Sequence, residues 1–341
     1  MPDFERYSRH VLFPGIGEEG QRRISDSVVA IVGCGALGSA QAEMLARAGV
    51  GELHMVDRDF VEWSNLQRQS LFKETDARDS IPKAVALSRE LKLIDSQCRV
   101  YSEVDDFNSS NAEDFLARAE LVLDATDNFQ TRYLINDCSV KLGMAWIYGA
   151  CVGSYGTVAP FIPGETPCLR CLFPDPPAAG EGPTCDTAGI ITPLPKMVAA
   201  MQVAEVLKIL VGNLQSVRRA LVSFDLWANS YHTLSYSLPE PACTCCGRRQ
   251  FDFLQGKQET EAITLCGRNA VQILPQRKQN VDLPALQRRL TRLGRVTICD
   301  YFLKLFIQEH ELAVFRDGRA IIKGTSDPAE AKSLYARYVG D

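Results

Sequence analysis

The chain has 341 residues, 46% of them hydrophobic and 23% charged, with a formal net charge of −5. A chain of this size and composition folds as roughly two globular domains with their own cores, and its charge excludes the global basic field that would draw it to nucleic acid or an anionic membrane. No apolar run approaches the roughly 18 residues of a spanning helix, and the opening MPDFERYSRHVLFPG lacks an apolar signal core, so a cytoplasmic protein is expected.

Residues 1–27 read as an N-terminal arm that carries RYSRH (Arg6 to His10). Val28–Val32 is the first clear strand, followed by a glycine turn and apolar residues at helical spacing from Leu37 to Ala48. ELHMVD is a second strand, and Pro82 is placed to open an amphipathic helix in PKAVALSRELKLID. CRVYSEV, ELVLDATD and MAWIYGACVG read as further strands, with AEDFLARA and TRYLINDCSVKLG as helices between them. This alternation predicts a doubly wound, mostly parallel sheet. After Gly149 the rhythm changes: YGTVAPFIPG is a strand, residues of about 174–195 form a proline-rich crossover loop, and KMVAAMQVAEVLKILVG is a helix apolar enough for the core. RRALVSFDLWANSYHTLSYS gives antiparallel strands that end in CTCCG. From residue 258 to 341 the pattern ββαβββα predicts a separate small α+β domain.

Gly33, Gly35 and Gly38 fit G-x-G-x-x-G between a strand and a helix. Such a turn lets a phosphate approach the backbone and meet the free N–H groups of the helix N-terminus. By itself it does not separate NAD, FAD and ATP. Asp57 and Asp59 follow the second strand, where an acid can hold ribose hydroxyls. The next segment, FVEWSNLQRQSLF, sets Asn65, Gln67 and Arg68 just beyond that acid. Hydride transfer has no use for these groups there, whereas nucleotidyl transfer must neutralise a triphosphate and steady a departing pyrophosphate. A nicotinamide-dependent oxidoreductase is the rival reading, and a non-catalytic scaffold for a carrier protein is a third.

GCGALG, D-R-D, SNLQRQ, PKA, DATDN, two C-x-x-C elements and the N-terminal RYSRH occur in this order. The constellation, over residues of about 3–250, resembles the MoeB/ThiF family, the bacterial relatives of ubiquitin-activating enzymes. The resemblance implies a Rossmann-like fold with an antiparallel extension and a zinc knuckle, and assigns residues 1–250 to the adenylating domain. It also implies ATP-dependent adenylylation of the C-terminal glycine of a small ubiquitin-like (β-grasp) sulfur-carrier protein, for molybdopterin, thiamine or a related thio-transfer pathway. By resemblance, Asp59 would bind ribose, Gly33, Gly35 and Gly38 would lie along the nucleotide, and Arg68 and Lys83 would contact phosphates. Asn65 and Gln69 would give polar support, and Asp127 would organise Mg²⁺. Arg9 resembles an arginine donated across a homodimer interface; the alternative is an arginine on a frayed arm. Asp124, three residues before Asp127, reads as structural.

Twelve cysteines are many for a reducing compartment, so their grouping matters. Cys168–Cys171 and Cys243–Cys246 suit a closed tetrahedral Zn²⁺ site, and the resemblance has pairs in both places. A redox dithiol is the rival, although neither pair is expected to open a helix after a thioredoxin-like strand. Cys245 leaves the ligand choice open. Cys185, in the crossover loop, would by resemblance pass on the activated carrier. Cys34, Cys98, Cys138, Cys151, Cys266 and Cys299 read as small apolar residues. Two departures from the family stand near the site: Ala36 for a further glycine, and Ser80-Ile-Pro before Lys83. The 258–341 unit does not match a rhodanese module.

Overall fold

The structure of the protein, a computed structural model, describes residues 5–177, 185–256, 262–265, 269–275 and 280–340, with the side chains of 185–186 and 262–265 set aside. The chain divides into two compact units: Met1–Ala179 with Ile190–Gln258, and Gly180–Gly189 with Glu259–Asp341.

In the first unit the arm is helical, as α1 (Ser8–Leu12) and α2 (Gly17–Asp26). Then follow β1 (Val28–Val32), α3 (Ala36–Ala48), β2 (Glu52–Val56), α4 (Glu74–Arg78), α5 (Lys83–Ile94), β3 (Arg99–Glu103), α6 (Ala112–Leu116), β4 (Leu121–Asp124), α7 (Phe129–Leu142) and β5 (Ala145–Val152). The unit continues through β6 (Tyr155–Phe161) and α8 (Leu169–Leu172). After α9 (Cys185–Ala188), which falls in the second unit, it resumes with α10 (Pro193–Leu210), β7 (Ala220–Asp225) and β8 (Ser230–Ser235).

One eight-stranded sheet runs in the order β3-β2-β1-β4-β5-β6-β7-β8. Its first five strands are parallel and the last three antiparallel. The central strand β1 explains why: Val29 and Ile31 enter one core, while Ala30 and Val32 enter the other. A strand apolar on both faces needs helices on both, and parallel crossovers supply them. The α10 helix, whose apolar positions do not keep to one face, packs on α3 and against β5 and β6. Strand order reverses at β1, with β2 on one side and β4 on the other, which opens a crevice at the carboxyl ends of these strands.

The second unit carries β9 (Ala262–Leu265), β10 (Ala270–Ile273), α11 (Leu283–Leu290), β11 (Arg295–Ile298), β12 (Phe302–Ile307), β13 (His310–Phe315), β14 (Ala320–Lys323) and α12 (Pro328–Tyr338). Its antiparallel sheet has the order β11-β12-β13-β14-β10-β9. Val271, Leu303, Leu305, Leu312, Val314 and Ile322 share a core with Leu286 and Leu290 of α11 and Tyr335 of α12. The sequence pattern omitted β11, a four-residue edge strand whose side chains are largely exposed and so leave no apolar alternation to read. Among the described residues no helix is long and apolar enough to cross a membrane.

Candidate active site

The turn after β1 requires glycine at two of its positions. Gly33 has φ +97°, and a Cβ there would stand 2.6 Å from the Ala125 carbonyl oxygen at the end of β4. A Cβ on Gly38 would stand 2.0 Å from the Gly33 carbonyl oxygen, so only glycine lets the helix close on the turn. Above Gly35 there is space: the nearest atom to a Cβ would be Gln69 Nε2, at 3.9 Å. No side chain caps α3 and no acid occupies its first turn, which leaves that end disposed toward an anion. Ala36 is the first residue of α3, a conformation that alanine adopts without cost.

The two acids after β2 have different work. Asp57 accepts the Cys34 N–H at 2.6 Å and the Asp59 N–H at 2.7 Å, and so braces the glycine turn from within. Burial lifts its carboxyl above the usual range, against the pull of Lys83. Asp59 instead meets Lys83, with Oδ2 3.0 Å from Nζ, while its carbonyl accepts the Lys83 N–H at 2.9 Å. Lys83 opens α5 and is only 3% exposed. An amine so buried requires an anionic partner, so the Ser80-Ile-Pro approach still delivers it to the acid.

The segment beyond Asp59 winds through a 3-10 turn, Trp63–Asn65. Asn65 is buried and its Oδ1 accepts the Glu62 N–H at 3.0 Å, which holds the turn. Arg68 is half-buried and donates from Nη1 to the Ser64 carbonyl at 2.8 Å. Gln69 is buried, and its Oε1 has no hydrogen-bond partner among the described residues. An orphaned buried acceptor beside the glycine turn marks a place where a donor is wanted. Thr192, just before α10, donates to Gln67 Oε1 at 2.8 Å and ties this segment to that helix.

At the end of β4, Asp124 is fully buried and structural. It accepts from the Thr126 N–H and hydroxyl (2.9 and 2.7 Å), from Arg132 Nε (3.1 Å) and from the Gly149 N–H (3.4 Å). Arg132 Nη2 also donates to the carbonyls of Thr126 and Gly149. This fastens the turn on which Asp127 stands exposed, just before the Asn128 cap of α7. Behind it, Gln41 of α3 and Gln202 of α10 hydrogen-bond at 2.6 Å, and each reaches the Asp124 carbonyl. One cue to this pair is local: glutamines inside apolar helices need buried partners.

Gly33–Gly38, Asp59, Lys83, Asn65–Gln69 and Asp127 thus gather along the carboxyl ends of β1, β2 and β4. Arg9 is not among them: it is exposed on α1, with no partner among the described residues, while its neighbours Arg6 and Tyr7 bind Asp95 at 2.7 and 2.6 Å. The backbone of Cys185 opens α9, and its thiol lies outside the described side chains, as does Cys266. Cys34, Cys98 and Cys138 are buried, Cys151 and Cys299 half-buried.

The sulfurs of Cys168, Cys171, Cys243 and Cys246 lie within 4.8 Å of one another, with close pairs at 3.3, 3.7 and 3.9 Å. A tetrahedron with bonds of about 2.3 Å has edges of roughly 3.8 Å, so the set fits one Zn²⁺. Cys245 is buried in the same cluster but is not one of the four, and its sulfur accepts from Asn136 Nδ2 at 3.3 Å. The first pair does open a helix, the single turn α8, contrary to the sequence expectation; its sulfurs nevertheless face the second pair. The α7 helix joins both regions, with its N-terminus at the site and Val140 packed in the cysteine cluster.

A doubly wound sheet with a glycine cradle at its switch point and a four-cysteine cluster on its antiparallel side defines a class of α/β nucleotide-site protein with a distinctive extension. The likeness to solved structures agrees on the fold: MccB of E. coli superposes with a TM-score of 0.63 at 22% identity, covering 72% of this chain and 75% of that one. The ThiF family model matches residues 7–245. Along 337 residues the chain is 45% identical to the sulfur carrier protein ThiS adenylyltransferase of Bacillus subtilis, covering 98% of this chain and 99% of that protein. It is 38% identical over 250 residues to the sulfur carrier protein adenylyltransferase of Thermus thermophilus, covering 72% and 91%. The chain belongs to the ThiF family.

Proposed function

We propose that this chain adenylylates the C-terminal glycine of a ubiquitin-like sulfur-carrier protein with ATP. A carrier carboxylate oxygen bonds to the α-phosphorus, the bond from that phosphorus to the bridging oxygen breaks, and pyrophosphate leaves with the electron pair. Both reactants are anions, so the protein must hold cations where charge collects and keep the reactants in line. The carrying observation is the convergence of Asp59, Lys83, the Arg68 segment and Asp127 around one glycine turn. It is supported by a relative named as a sulfur carrier protein ThiS adenylyltransferase that matches 98% of this chain.

In this reading the Gly33, Gly35 and Gly38 backbone lies along the phosphates and Asp59 takes the ribose. Arg68 and Lys83 hold the phosphates, Asn65 fixes the Arg68 turn, and Gln69 Oε1 accepts a hydroxyl or water proton. Asp127 would hold Mg²⁺, which supplies charge neutralisation to the leaving pyrophosphate. The four cysteines would hold a structural Zn²⁺. Cys185 would receive the activated acyl group in a later step. Exposed Arg9, beside Leu12 and Phe13 at 70% and 61% exposure, suits a homodimer contact that carries this arginine into the partner's site. We place the protein in the cytoplasm, assign adenylation to residues 1–250 and give no chemistry to 258–341. Molybdopterin, thiamine or a related thio-transfer pathway would use the product.

ATP–pyrophosphate exchange with carriers ending in Gly-Gly tests the reading. Arg68→Ala and Asp127→Ala should each lower exchange at least about 100-fold, while Cys185→Ala should retain it. Absence of exchange in the wild-type protein with every carrier, together with NAD binding, would overturn adenylylation.

A further inference from the structure

One cation at the carboxyl end of β2 takes no part in the chemistry above. Arg58 stands between Asp57 and Asp59 with its side chain 19% exposed, and its Nη1 donates to Asp106 Oδ1 at 2.6 Å. Asp106, in the loop after β3, is itself held in place. Its N–H donates to Asp105 Oδ1 at 2.8 Å, and its carbonyl accepts from Asn108 and Asn111 at 3.1 and 2.8 Å. Burial alone would lower the guanidinium pKa; Asp106, Asp59 and Asp127 outweigh it and keep the charge. A largely desolvated guanidinium, fixed on Asp106 at the carboxyl end of β2, is weak evidence for stability and better evidence for a ligand.

Strand order indicates which end of a nucleotide it meets. The glycine turn and α3 follow β1, and the sheet runs outward from β1 through β2 to β3. With phosphates over the β1–α3 turn, the ends of β2 and β3 fall on the nucleoside side. Arg58 and its tether Asp106 occupy those two ends, 48 residues apart in sequence. A guanidinium is planar and weakly hydrated, so it can lie against a purine face while its edge stays bonded to a carboxylate. We infer that Arg58, tethered by Asp106, binds the nucleoside half of ATP and sets affinity for the purine. The inference rests on the adenylylation reading, and its test is built to fail separately.

Exchange kinetics yield KM for ATP and for pyrophosphate with the same protein. Arg58→Ala should raise KM for ATP roughly tenfold, with KM for pyrophosphate and kcat within about twofold of wild type. Arg58→Lys keeps the charge but loses the flat face, and should recover little. Asp106→Asn keeps an acceptor and should shift KM for ATP several-fold in the same direction. A parallel rise in KM for pyrophosphate would make Arg58 a phosphate ligand. An unchanged KM for ATP with a lowered melting temperature would make the pair structural. Either result overturns the inference, whereas a wild-type protein with no exchange at all would overturn adenylylation instead.

Discussion

Asp57 and Asp59 are two residues apart and chemically identical, yet one is spent on the backbone and the other pairs with Lys83. What separates them is the pair of N–H groups that Asp57 accepts, from Cys34 and Asp59. The glycines divide in the same way. At Gly33 an alanine would be strained by φ +97° and would crowd the Ala125 carbonyl at 2.6 Å. Gly33→Ala should therefore cost about 2 kcal/mol or more and lower the melting temperature by several degrees. Gly35 meets nothing closer than 3.9 Å. Gly35→Ala should melt within about a degree of wild type and still bind ATP more weakly, because its Cβ enters the cradle. If both variants melt alike, the turn does not depend on glycine as argued. The glycines and the acid pair were legible in the sequence because their spacing is local. Arg58–Asp106 and Thr192–Gln67 were not, because each joins residues that only the folded sheet brings together.

The N-terminal arm shows how one element can be tied down at one residue and exposed at the next. Arg6 and Tyr7 hold Asp95 at the end of α5, while Arg9, two residues on, points outward. Burial would raise the Asp95 carboxyl, but hydrogen bonds from Tyr7, the Gln97 N–H and Arg6 win and lower it. Burial first, then the bond to Asp95, pushes the Tyr7 hydroxyl up to about 12. The lowered acid stabilises the arm above the unfolded carboxylate value of about 3.9 and loses that as pH falls through its folded value. The raised phenol contributes below about pH 10 and loses it as pH rises toward 12. Anchorage should thus persist from about pH 4 to 10. Within that range Asp95→Asn should speed tryptic cleavage after Arg9 several-fold; unchanged cleavage would contradict the tether. Mixing Arg9→Ala with Asp127→Ala chains should recover exchange that neither has alone, and no recovery would rule out a shared site. The sequence marked the arm through RYSRH but hid its two helices, since α1 has no buried residue to set a periodic pattern.

At the scale of the molecule, the cysteine cluster joins two places 75 residues apart, enclosing α10, β7 and β8 as well as the crossover segment. A metal there would close a long loop, which is where a cross-link restrains the unfolded chain most. Metal analysis should find one zinc per chain. Cys171→Ser should lose it and melt several degrees lower, whereas Cys245→Ser should keep it, since Asn136 already engages that thiol. Zinc lost from Cys245→Ser would reassign the ligands. The pairs were readable from C-x-x-C spacing, but the exclusion of Cys245 depended on a helix more than 100 residues away in sequence.

The Lys83–Asp59 contact has one more consequence. On the proposed assignment, the acid for the sugar and the cation for the phosphates are already paired with each other, 3.0 Å apart, so a nucleotide would bind by partner exchange. The triphosphate would draw the ammonium off the carboxylate, which frees that carboxylate for the sugar. The two ends of the nucleotide are thereby made to depend on each other. A nucleoside without phosphates finds its acid occupied, and a phosphate without a nucleoside strands that acid next to its own charge. A site so built would favour the intact nucleotide over either of its fragments.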